Sequence, residues 1–571
     1  MQRLTMSEHA QVARLTFDQQ RRLTVSRLRR SPLLRWKFGT PHVDDLLISP
    51  HDLRGADPSF ASEIAAGYFG LSGAIAKLGG NSPFDVPPPT DAWERDLHSF
   101  DWLRHLHAAA DPRATRAAQD LLADWLRRSG ARHSVGGLPE IASRRLISWL
   151  SHADVLLDGA DDERYNATMD SLGEQVTELL ATWPDTVAGY PRLQALTALL
   201  MAALCIAGLE HLQGTIEANL VAELQHQVAD DGGHISRNPS VNIDLLLDLL
   251  PLRQCYSSRQ RAVPPTLASA IERMQRMLQV LRLGCGGVGR FNGMSCARPE
   301  AVATVLAYAP SIVSPSAITP YGKMARMERG GVILLVDVGS PPPLEVSGLA
   351  HAGCLSFEMS DGDRAVFVNS GAPGPAHRTA WVAKARATAS HNALTLGGQS
   401  SSKLLRDVRL EDRLGAAPLC APDHVSATLA ETAIGGLELA ASHDGYVDRT
   451  NIVHRRHLAL SAAGDRVDGV DRLGAPTGQL RLPTDVPFAI HFHLSLGVSV
   501  TIGAVAGTAD IRLDDGCLWR FAAVGAELSI EESTHLAMAG GPVRTEQMVL
   551  RGATFGETEV AWSLKRLVSG A

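Results

Sequence analysis

Four residues within 344–392 are candidates for transferring a proton or binding an anion. They are His351, Asn369, Arg386 and His391. Imidazole changes its charge near neutral pH, and guanidinium binds carboxylates through paired hydrogen bonds. Most of the segment alternates like β-strand, so we expect positions distant in sequence to share a face. Arg386 and His391 fall on opposite faces of an ideal strand unless a bulge or loop intervenes.

A second polar group follows the turn Asp231-Gly232-Gly233. It consists of His234, Arg237 and Asn238, which offer an imidazole, a cation and an amide within a few residues. One interpretation is a cluster that contacts an anion in a cleft. The other is a structural loop between helices, whose polar groups cap the helix ends. The two interpretations stay open at this stage, as does the alternative that His351 and His391 are core histidines.

The elements that must position these groups differ between the two halves of the chain. From Trp93 to about Leu283 the apolar residues recur with a helical period, interrupted by short Gly and Pro breakers. From about Met327 onward the period is two, with Asp-Gly turns between β-branched runs. We therefore predict a basic helical segment over 1–60, a helical domain over 61–315 and an antiparallel β-domain over 316–571.

Composition describes an ordinary globular protein of 571 residues, with 45% hydrophobic residues and a formal net charge of -7. This mild acidity provides no global basic field for a nucleic acid, so an acidic ligand would have to bind at a local cationic patch.

The seven cysteines include no C-x-x-C pair, which argues against a zinc ribbon or a disulfide framework. Gly284–Gly289 fits G-x-G-x-x-G but follows a helical run, so we interpret it as a turn. Oligomeric state is left open.

The first residues carry many arginines but no apolar run of signal-peptide length, and no stretch is long and apolar enough for a membrane span. We expect a cytoplasmic location, with the cell envelope or periplasm as the alternative. Residues 19–30 space their arginines at roughly helical intervals and could lie on an anionic surface. Packing of this helix on its own protein is the interpretation we favour.

Four stretches together resemble the heparinase II/III-like family of polysaccharide lyases. They are Phe100–Leu106 with Pro139–Leu150, Asp231–Pro239, Ala350–Glu358 and Arg386–Asn392. The resemblance implies an incomplete α/α toroid followed by a layered antiparallel β-sandwich, with a substrate cleft between them. It also implies that the chain cleaves an acidic, uronate-containing and glycosaminoglycan-like polysaccharide by β-elimination.

The same resemblance implies roles for individual residues. Arg237 and Arg386 would recognise the uronate carboxylate, and Asn238 would hydrogen-bond the substrate acid. His351 or His391 would transfer the proton, and His234 would line the cleft. The family often holds a metal in its β-domain, so His351, Asn369 and His391 are the candidate ligands for zinc. An amide in that set is a poor match for zinc, which favours His, Cys and carboxylate ligands.

The sequence also departs from the family where the chemistry would lie. Val241 stands where members often carry a tyrosine, and Leu349 replaces the first histidine of a His-x-His pair. Gly189-Tyr190 replaces the usual Asn-His at the start of a toroid helix, so Tyr190 or Tyr256 could supply a phenol only if the fold brings it to the cleft. These departures motivate an alternative hypothesis, a catalytically impaired protein of the same fold that binds glycan or serves as an envelope-polysaccharide scaffold.

Overall fold

The computed structural model describes residues 6–29, 43, 45–296, 298–309, 316–406, 417–476 and 485–568. The first half is helical because its Leu- and Ala-rich stretches favour helix and are preceded by residues that cap or begin helices. Thr90, Asp111 and Asn238 each accept a backbone N–H at a helix start, and proline occupies the first turn of several helices. No helix within these ranges is both long and apolar enough to cross a membrane.

The helices are named in chain order. They are α1 (Met6–Arg29), α2 (Phe60–Ala65), α3 (Asp91–Ser99), α4 (Leu103–Ala109), α5 (Pro112–Arg127), α6 (Pro139–Ser151), α7 (Ala153–Leu157), α8 (Asp162–Thr182), α9 (Tyr190–Cys205), α10 (Gln213–Gln227), α11 (Pro239–Ser258), α12 (Pro265–Val280), α13 (Pro299–Ala307), α14 (Arg378–Ala385) and α15 (Val447–Thr450). Helix α9 is buried along most of its length and packs on α6, α10 and α11, so it forms the centre of the helical unit.

The strands follow the same order. They are β1 (Tyr68–Leu71), β2 (Ala74–Lys77), β3 (Met324–Arg329), β4 (Val332–Asp337), β5 (Phe357–Asp361), β6 (Arg364–Phe367), β7 (Leu394–Leu396), β8 (Lys403–Leu404), β9 (Leu419–Cys420), β10 (Val425–Glu431), β11 (Leu437–His443), β12 (Val453–Leu460), β13 (Arg466–Gly474), β14 (Pro487–His493), β15 (Ser499–Ile502), β16 (Thr508–Arg512), β17 (Leu518–Val524), β18 (Glu527–His535), β19 (Val543–Ala553) and β20 (Thr558–Val568).

Three larger antiparallel sheets and the two-stranded β8–β9 pair build the described part of the second half. The largest has the order β10-β11-β12-β13-β20-β17-β16-β15, and two four-stranded sheets have the orders β18-β19-β14-β7 and β3-β4-β5-β6. Burial alternates along β12, whereas every residue of β4 is buried, as expected for a strand enclosed on both faces. The predicted change from a helical to an antiparallel β architecture is confirmed. It falls between α13 and β3, and the predicted boundary at 315/316 adjoins residues 310–315, which lie outside the described residues.

Polar contacts join the two halves. The Asp231 Oδ2 atom accepts hydrogen bonds from the backbone N–H groups of Tyr321 and Gly322, at 2.8 and 2.7 Å. Arg237 Nη2 lies 2.5 Å from Asp337 Oδ1, and its Nε donates to the Gly322 carbonyl. The turn after α10 is therefore bonded directly to the start of the β-domain.

The strand-like alternation predicted for residues 344–392 is only partly correct. Leu344–Leu349 forms a 3-10 helix, and α14 and the short 3-10 turn Thr388–Ser390 replace strand before His391. Pro341-Pro342-Pro343 prevents a regular strand from starting there, because proline lacks the N–H that a ladder needs. Arg386 caps the end of α14, so the face it occupies cannot be read from strand parity.

Candidate functional site

A cleft of about 660 Å³ lies between the helical unit and the β-domain. This volume is typical of a small-ligand site. Its helical wall comes from α3, α6, the start of α9 and the start of α11, and its β-domain wall comes from the 3-10 helix Leu344–Leu349 and from α14. The polar side chains that line it are Arg95, Glu140, Tyr190, His234, Ser236, Asn238, Asn292, Glu345 and Arg378.

Tyr190 places a phenol in this cleft. Its hydroxyl donates a hydrogen bond to Asp248 Oδ2 at 3.0 Å and accepts one from Gln194 Nε2 at 2.8 Å. Gly189 precedes it with a φ of 95°, a backbone conformation that favours glycine, and this turn directs the helix start towards the cleft. Burial, with the carboxylates of Asp248 and Asp244, holds the pKa of Tyr190 well above its ordinary value. The phenol is therefore a proton donor at neutral pH.

Asp248 is held by two guanidinium groups behind the phenol. Arg54 Nη2 and Arg144 Nη2 lie 2.9 and 3.0 Å from Asp248 Oδ1, and the Asp248 side chain is fully buried. Asp244 lies one helical turn earlier on α11 and is half-buried. Burial raises the pKa of Asp244 to about 6, against the opposing charges of Arg54 and Arg144. Asp244 can therefore take up or release a proton near neutral pH, whereas Asp248 forms ion pairs with both guanidinium groups.

Two cations enter the cleft from opposite domains. Arg95 comes from α3 and pairs with Glu140 at 2.9 Å. Arg378 begins α14, and within the described ranges it forms no ion pair or hydrogen bond. Burial and the nearby charge of Arg95 lower the pKa of Arg378. An arginine without an acid beside a second arginine is a suitable place for an anionic ligand group.

His234 and Asn238 line the cleft, as expected. His234 Nδ1 accepts the Ser236 N–H at 3.1 Å, so Nε2 carries the proton and donates to Gln227 Oε1 at 3.0 Å. Burial lowers the pKa of His234 to about 3. The Asn238 Oδ1 atom caps α11 by accepting the Ser240 N–H. The interpretation as a cleft cluster and the interpretation as a structural loop are thus each partly correct. The residues line the cleft, but the His234 nitrogens and the Asn238 Oδ1 atom form hydrogen bonds within the protein.

The two arginines assigned to carboxylate recognition are absent from the residues that line the cleft. Arg386 is buried and donates to the carbonyls of Ala350, Ala417 and Ser347 at 2.7 to 3.0 Å. Arg237 bonds across the domain interface to Asp337. This geometry replaces the expected role with a structural one, since each guanidinium is satisfied by its own protein. Their contact with a substrate stays a prediction that the geometry disfavours.

His351 and His391 do meet, but as a buried pair. His391 Nδ1 donates to the Ala387 carbonyl at 2.8 Å, so His391 Nε2 accepts from His351 Nδ1 at 3.0 Å. Burial lowers the pKa of both rings, that of His391 to about 4. Neither ring lines the cleft. Their proposed part in proton transfer is therefore not carried forward.

The candidate zinc ligands do not fit the ion. Both nitrogens of His391 are engaged within the protein, and the Asn369 amide donates to the Arg290 carbonyl and accepts the Asn392 N–H. Zinc would need free lone pairs and prefers charged or imidazole ligands. No step of the chemistry below is assigned to a metal.

Glu94, His98 and His133 form a second cluster with metal-like spacing. Trp125 Nε1 donates to His98 Nδ1 at 3.1 Å, and the Val135 N–H donates to His133 Nδ1 at 3.3 Å. Both rings therefore carry their proton on Nε2, the atom that would have to bind the ion. The His98 and His133 rings stack with their centroids 4.4 Å apart, and this packing explains why the residues lie close together.

The groups that sequence reasoning missed come from separate elements. Arg95, Asp244 and Arg378 lie in three helices, with nothing in their local spacing to connect them. Tyr190 was a conditional candidate, and the fold does bring it to the cleft. Tyr256 is buried and donates to Glu217 at 2.6 Å, so it does not serve there.

The fold defines a class of proteins in which a helical toroid precedes an antiparallel β-sandwich. The architecture is similar to that of heparinase III, with a TM-score of 0.68 and 12% identity, covering 93% of this chain and 87% of that one. It is also similar to a mutant of the heparan sulfate lyase HepC from Pedobacter heparinus, with a TM-score of 0.60 and 15% identity over 94% and 88%.

Residues 313–563 match the family model described as heparinase II/III-like, C-terminal. The β-domain therefore matches the heparinase II/III-like C-terminal family, which confirms the resemblance noted in the sequence. The similarity to heparinase III confirms the predicted fold, a helical toroid followed by a β-sandwich. It is also 28% identical over 553 residues to FtsZ-localized protein C of Caulobacter vibrioides, covering 93% of this chain and 92% of that protein.

Proposed function

We propose that the chain binds an acidic, uronate-containing glycan in the interdomain cleft and cleaves it by β-elimination. The observation that carries this proposal is the placement of Tyr190, which lines the cleft and lies close enough to the titratable carboxylate of Asp244 for that charge to raise its pKa. Arg95 and Arg378 supply positive charge from the two walls. The fold supports the same reaction class, although fold alone does not assign an activity.

The chemistry requires three groups. Arg378, with Arg95, would bind the uronate carboxylate and stabilise the charge that develops as the C5 proton leaves. In this proposal Asp244, which lies near Tyr190 but is not one of the residues that line the cleft, accepts that proton. The C4–O bond breaks as the C4=C5 double bond forms, and Tyr190 donates its proton to the departing oxygen. A proton then returns from Asp244 to the Tyr190 phenolate through solvent. Each group starts in the protonation state that its step requires, since Asp244 is ionised above about pH 6 and Tyr190, whose pKa is raised, is protonated.

The test is incubation of the full chain with heparan sulfate, hyaluronan, alginate and bacterial capsular polymers, while the absorbance of the unsaturated product is followed. Turnover that Tyr190→Phe abolishes supports the proposal. Folded protein that yields no unsaturated product from any uronate polymer contradicts it.

The second candidate is glycan binding without turnover. It is favoured by the pairing of His351 with His391, which removes both imidazoles from the cleft, and by Val241 at the expected tyrosine position. The chain is also similar to FtsZ-localized protein C, whose name describes a location and not a lyase activity. Saturable binding to a glycan array, with no product formed over the same range, would favour this candidate over the lyase.

A further inference from the structure

Helix α1 contacts both halves of the molecule. It packs on α8 and on the 3-10 turn Trp183–Asp185 in the helical unit. Across the interface, Glu8 forms a bidentate ion pair with Lys403 of β8, with both carboxylate oxygens 2.8 Å from Nζ. Cys420 Sγ of β9 donates to Gln11 Oε1 at 3.5 Å. The helix thus crosses from one domain to the other and packs on its own protein.

A second cavity, of about 430 Å³, lies between α1 and the body of the protein. The residues of α1 that line it are Gln11, Arg14, Leu15, Asp18, Gln19 and Arg22. It shares Val187, Ala188, Leu344 and Glu345 with the interdomain cleft. The two cavities therefore adjoin at these residues, and together they make a groove longer than a single small ligand needs.

The lining of this second cavity is cationic in balance, with Arg14, Arg22 and Arg192 against Asp18 and Glu345. Arg14 and Arg22 form no ion pair with any described residue. Arg192 pairs with Glu223 at 3.3 Å, yet its buried Nε has no hydrogen-bond partner in the described part of the chain. A buried donor left unsatisfied costs free energy, which a ligand acceptor could recover.

We propose that α1 forms the wall of a second subsite, in which Arg14, Arg22 and Arg192 bind the anionic continuation of a glycan whose first residues occupy the Tyr190 cleft. This inference rests on the proposed function for the chemistry of the ligand. The inference goes beyond the proposed function because it assigns the tighter binding of longer glycans to α1, a helix that takes no part in the proton transfers. A disaccharide would occupy the cleft alone, whereas an octasaccharide would reach both cavities.

The experiment is calorimetric titration of the full chain with uronate-containing disaccharides and octasaccharides, prepared from heparosan and hyaluronan. For the wild type we expect the octasaccharide to bind about tenfold more tightly, a gain reduced by added salt. The Arg14→Ala, Arg22→Ala double variant is expected to lose this gain while its disaccharide affinity is unchanged. The matched control is Arg21→Ala, which removes an exposed arginine of α1 that does not line the cavity.

A second pair of variants tests the docking of the helix. Glu8→Lys should separate α1 from Lys403 and remove the preference for the octasaccharide, and adding Lys403→Glu should restore it. A length preference that survives in the Arg14, Arg22 double variant, or that falls equally in the Arg21 control, overturns the subsite. Binding of both oligosaccharides with no length preference in the wild type also overturns it but leaves the proposed function intact. Absence of any binding contradicts both.

Discussion

The Tyr190 hydroxyl lies 3.0 Å from Asp248 Oδ2, on the side of that carboxylate opposite the atom bound by Arg54 and Arg144. The phenol is thereby fixed in direction by an anion that is itself neutralised. Asp248 is best understood as a positioning residue, since it is fully buried and reaches the cleft only through Tyr190. Because Tyr190 acts on the ligand and Asp248 only positions Tyr190, substitutions around the cleft are expected to have different effects on turnover and on stability.

Tyr190→Phe is expected to abolish formation of unsaturated product while leaving the chain folded. The phenyl ring keeps the packing, but Asp248 Oδ2 loses its donor, at a cost of about 1 kcal/mol in the free energy of unfolding. Product absorbance and urea unfolding measure the two effects. Gln194→Leu is the matched control, because it removes the other hydrogen bond of the hydroxyl but retains the acid. Equal turnover in Tyr190→Phe and wild type would exclude Tyr190 as the acid.

The Asp244→Asn substitution should change the way in which the stability of the protein depends on pH. The pKa of Asp244 is about 6 in the folded protein and 3.8 ordinarily, so the folded state favours the protonated form. That contribution is full below about pH 4 and is lost as the pH rises through 6. Since asparagine never ionises, the variant should have the higher Tm above pH 6 and an equal Tm near pH 4. Asp96→Asn is a useful comparison, because burial raises the pKa of Asp96 to about 6 as well.

Loss of turnover in Asp244→Asn, but not in Asp96→Asn, would identify Asp244 as the base. Retained turnover in Asp244→Asn would remove that role, whatever happened to the Tm.

Arg378→Ala should weaken binding of an acidic oligosaccharide about tenfold at low salt and less at high salt, because an exposed charge contact is screened. Titration of a uronate disaccharide at two ionic strengths measures the effect. Lys384→Ala provides the control, as it removes another exposed cation of α14 that lies outside the cleft. An identical loss in both variants would indicate a diffuse charge effect and no specific contact.

Glu358→Gln is expected to stabilise the protein at alkaline pH. Glu358 is fully buried, its Oε2 atom has no hydrogen-bond partner among the described residues, and burial raises its pKa to about 7 from 4.5. The contribution of the protonated form is full below pH 4.5 and is lost as the pH rises through 7. Glutamine avoids the buried charge and keeps the acceptor for the Asn369 N–H, so the gain should approach about 3 kcal/mol above pH 8.

Urea unfolding at pH 8.5 and pH 4.5 checks the Glu358→Gln prediction. A destabilised variant at the higher pH would mean that Arg290, whose Nη1 lies 3.8 Å from Oε2, stabilises the carboxylate more than burial destabilises it.

Periodicity was enough to predict a helical half followed by an antiparallel β half, because each half has one dominant hydrophobic period; the toroid and the sandwich came from the family resemblance. It failed within residues 344–392, where prolines and short helices interrupt the strands. The predicted loop residues His234 and Asn238 do reach the cleft, since a turn that follows two glycines has few other places to lie. Arg237 and Arg386 show the limit of prediction from sequence. Residue type alone does not determine whether a guanidinium binds a ligand or donates to backbone carbonyls. Arg378 and Asp244 became candidates only once the fold had brought their helices together.

The bonds of Asp231 and Arg237 across the interface affect how a ligand enters. Arg237 donates to the carbonyls of Gly322, Ser340 and Lys323 in addition to its ion pair, so several bonds would have to break together for the two walls to separate. These bonds hold the two walls at the spacing seen in the structure. A cleft whose walls are joined in this way limits both the thickness of the glycan chain that fits and the branches that the chain can carry.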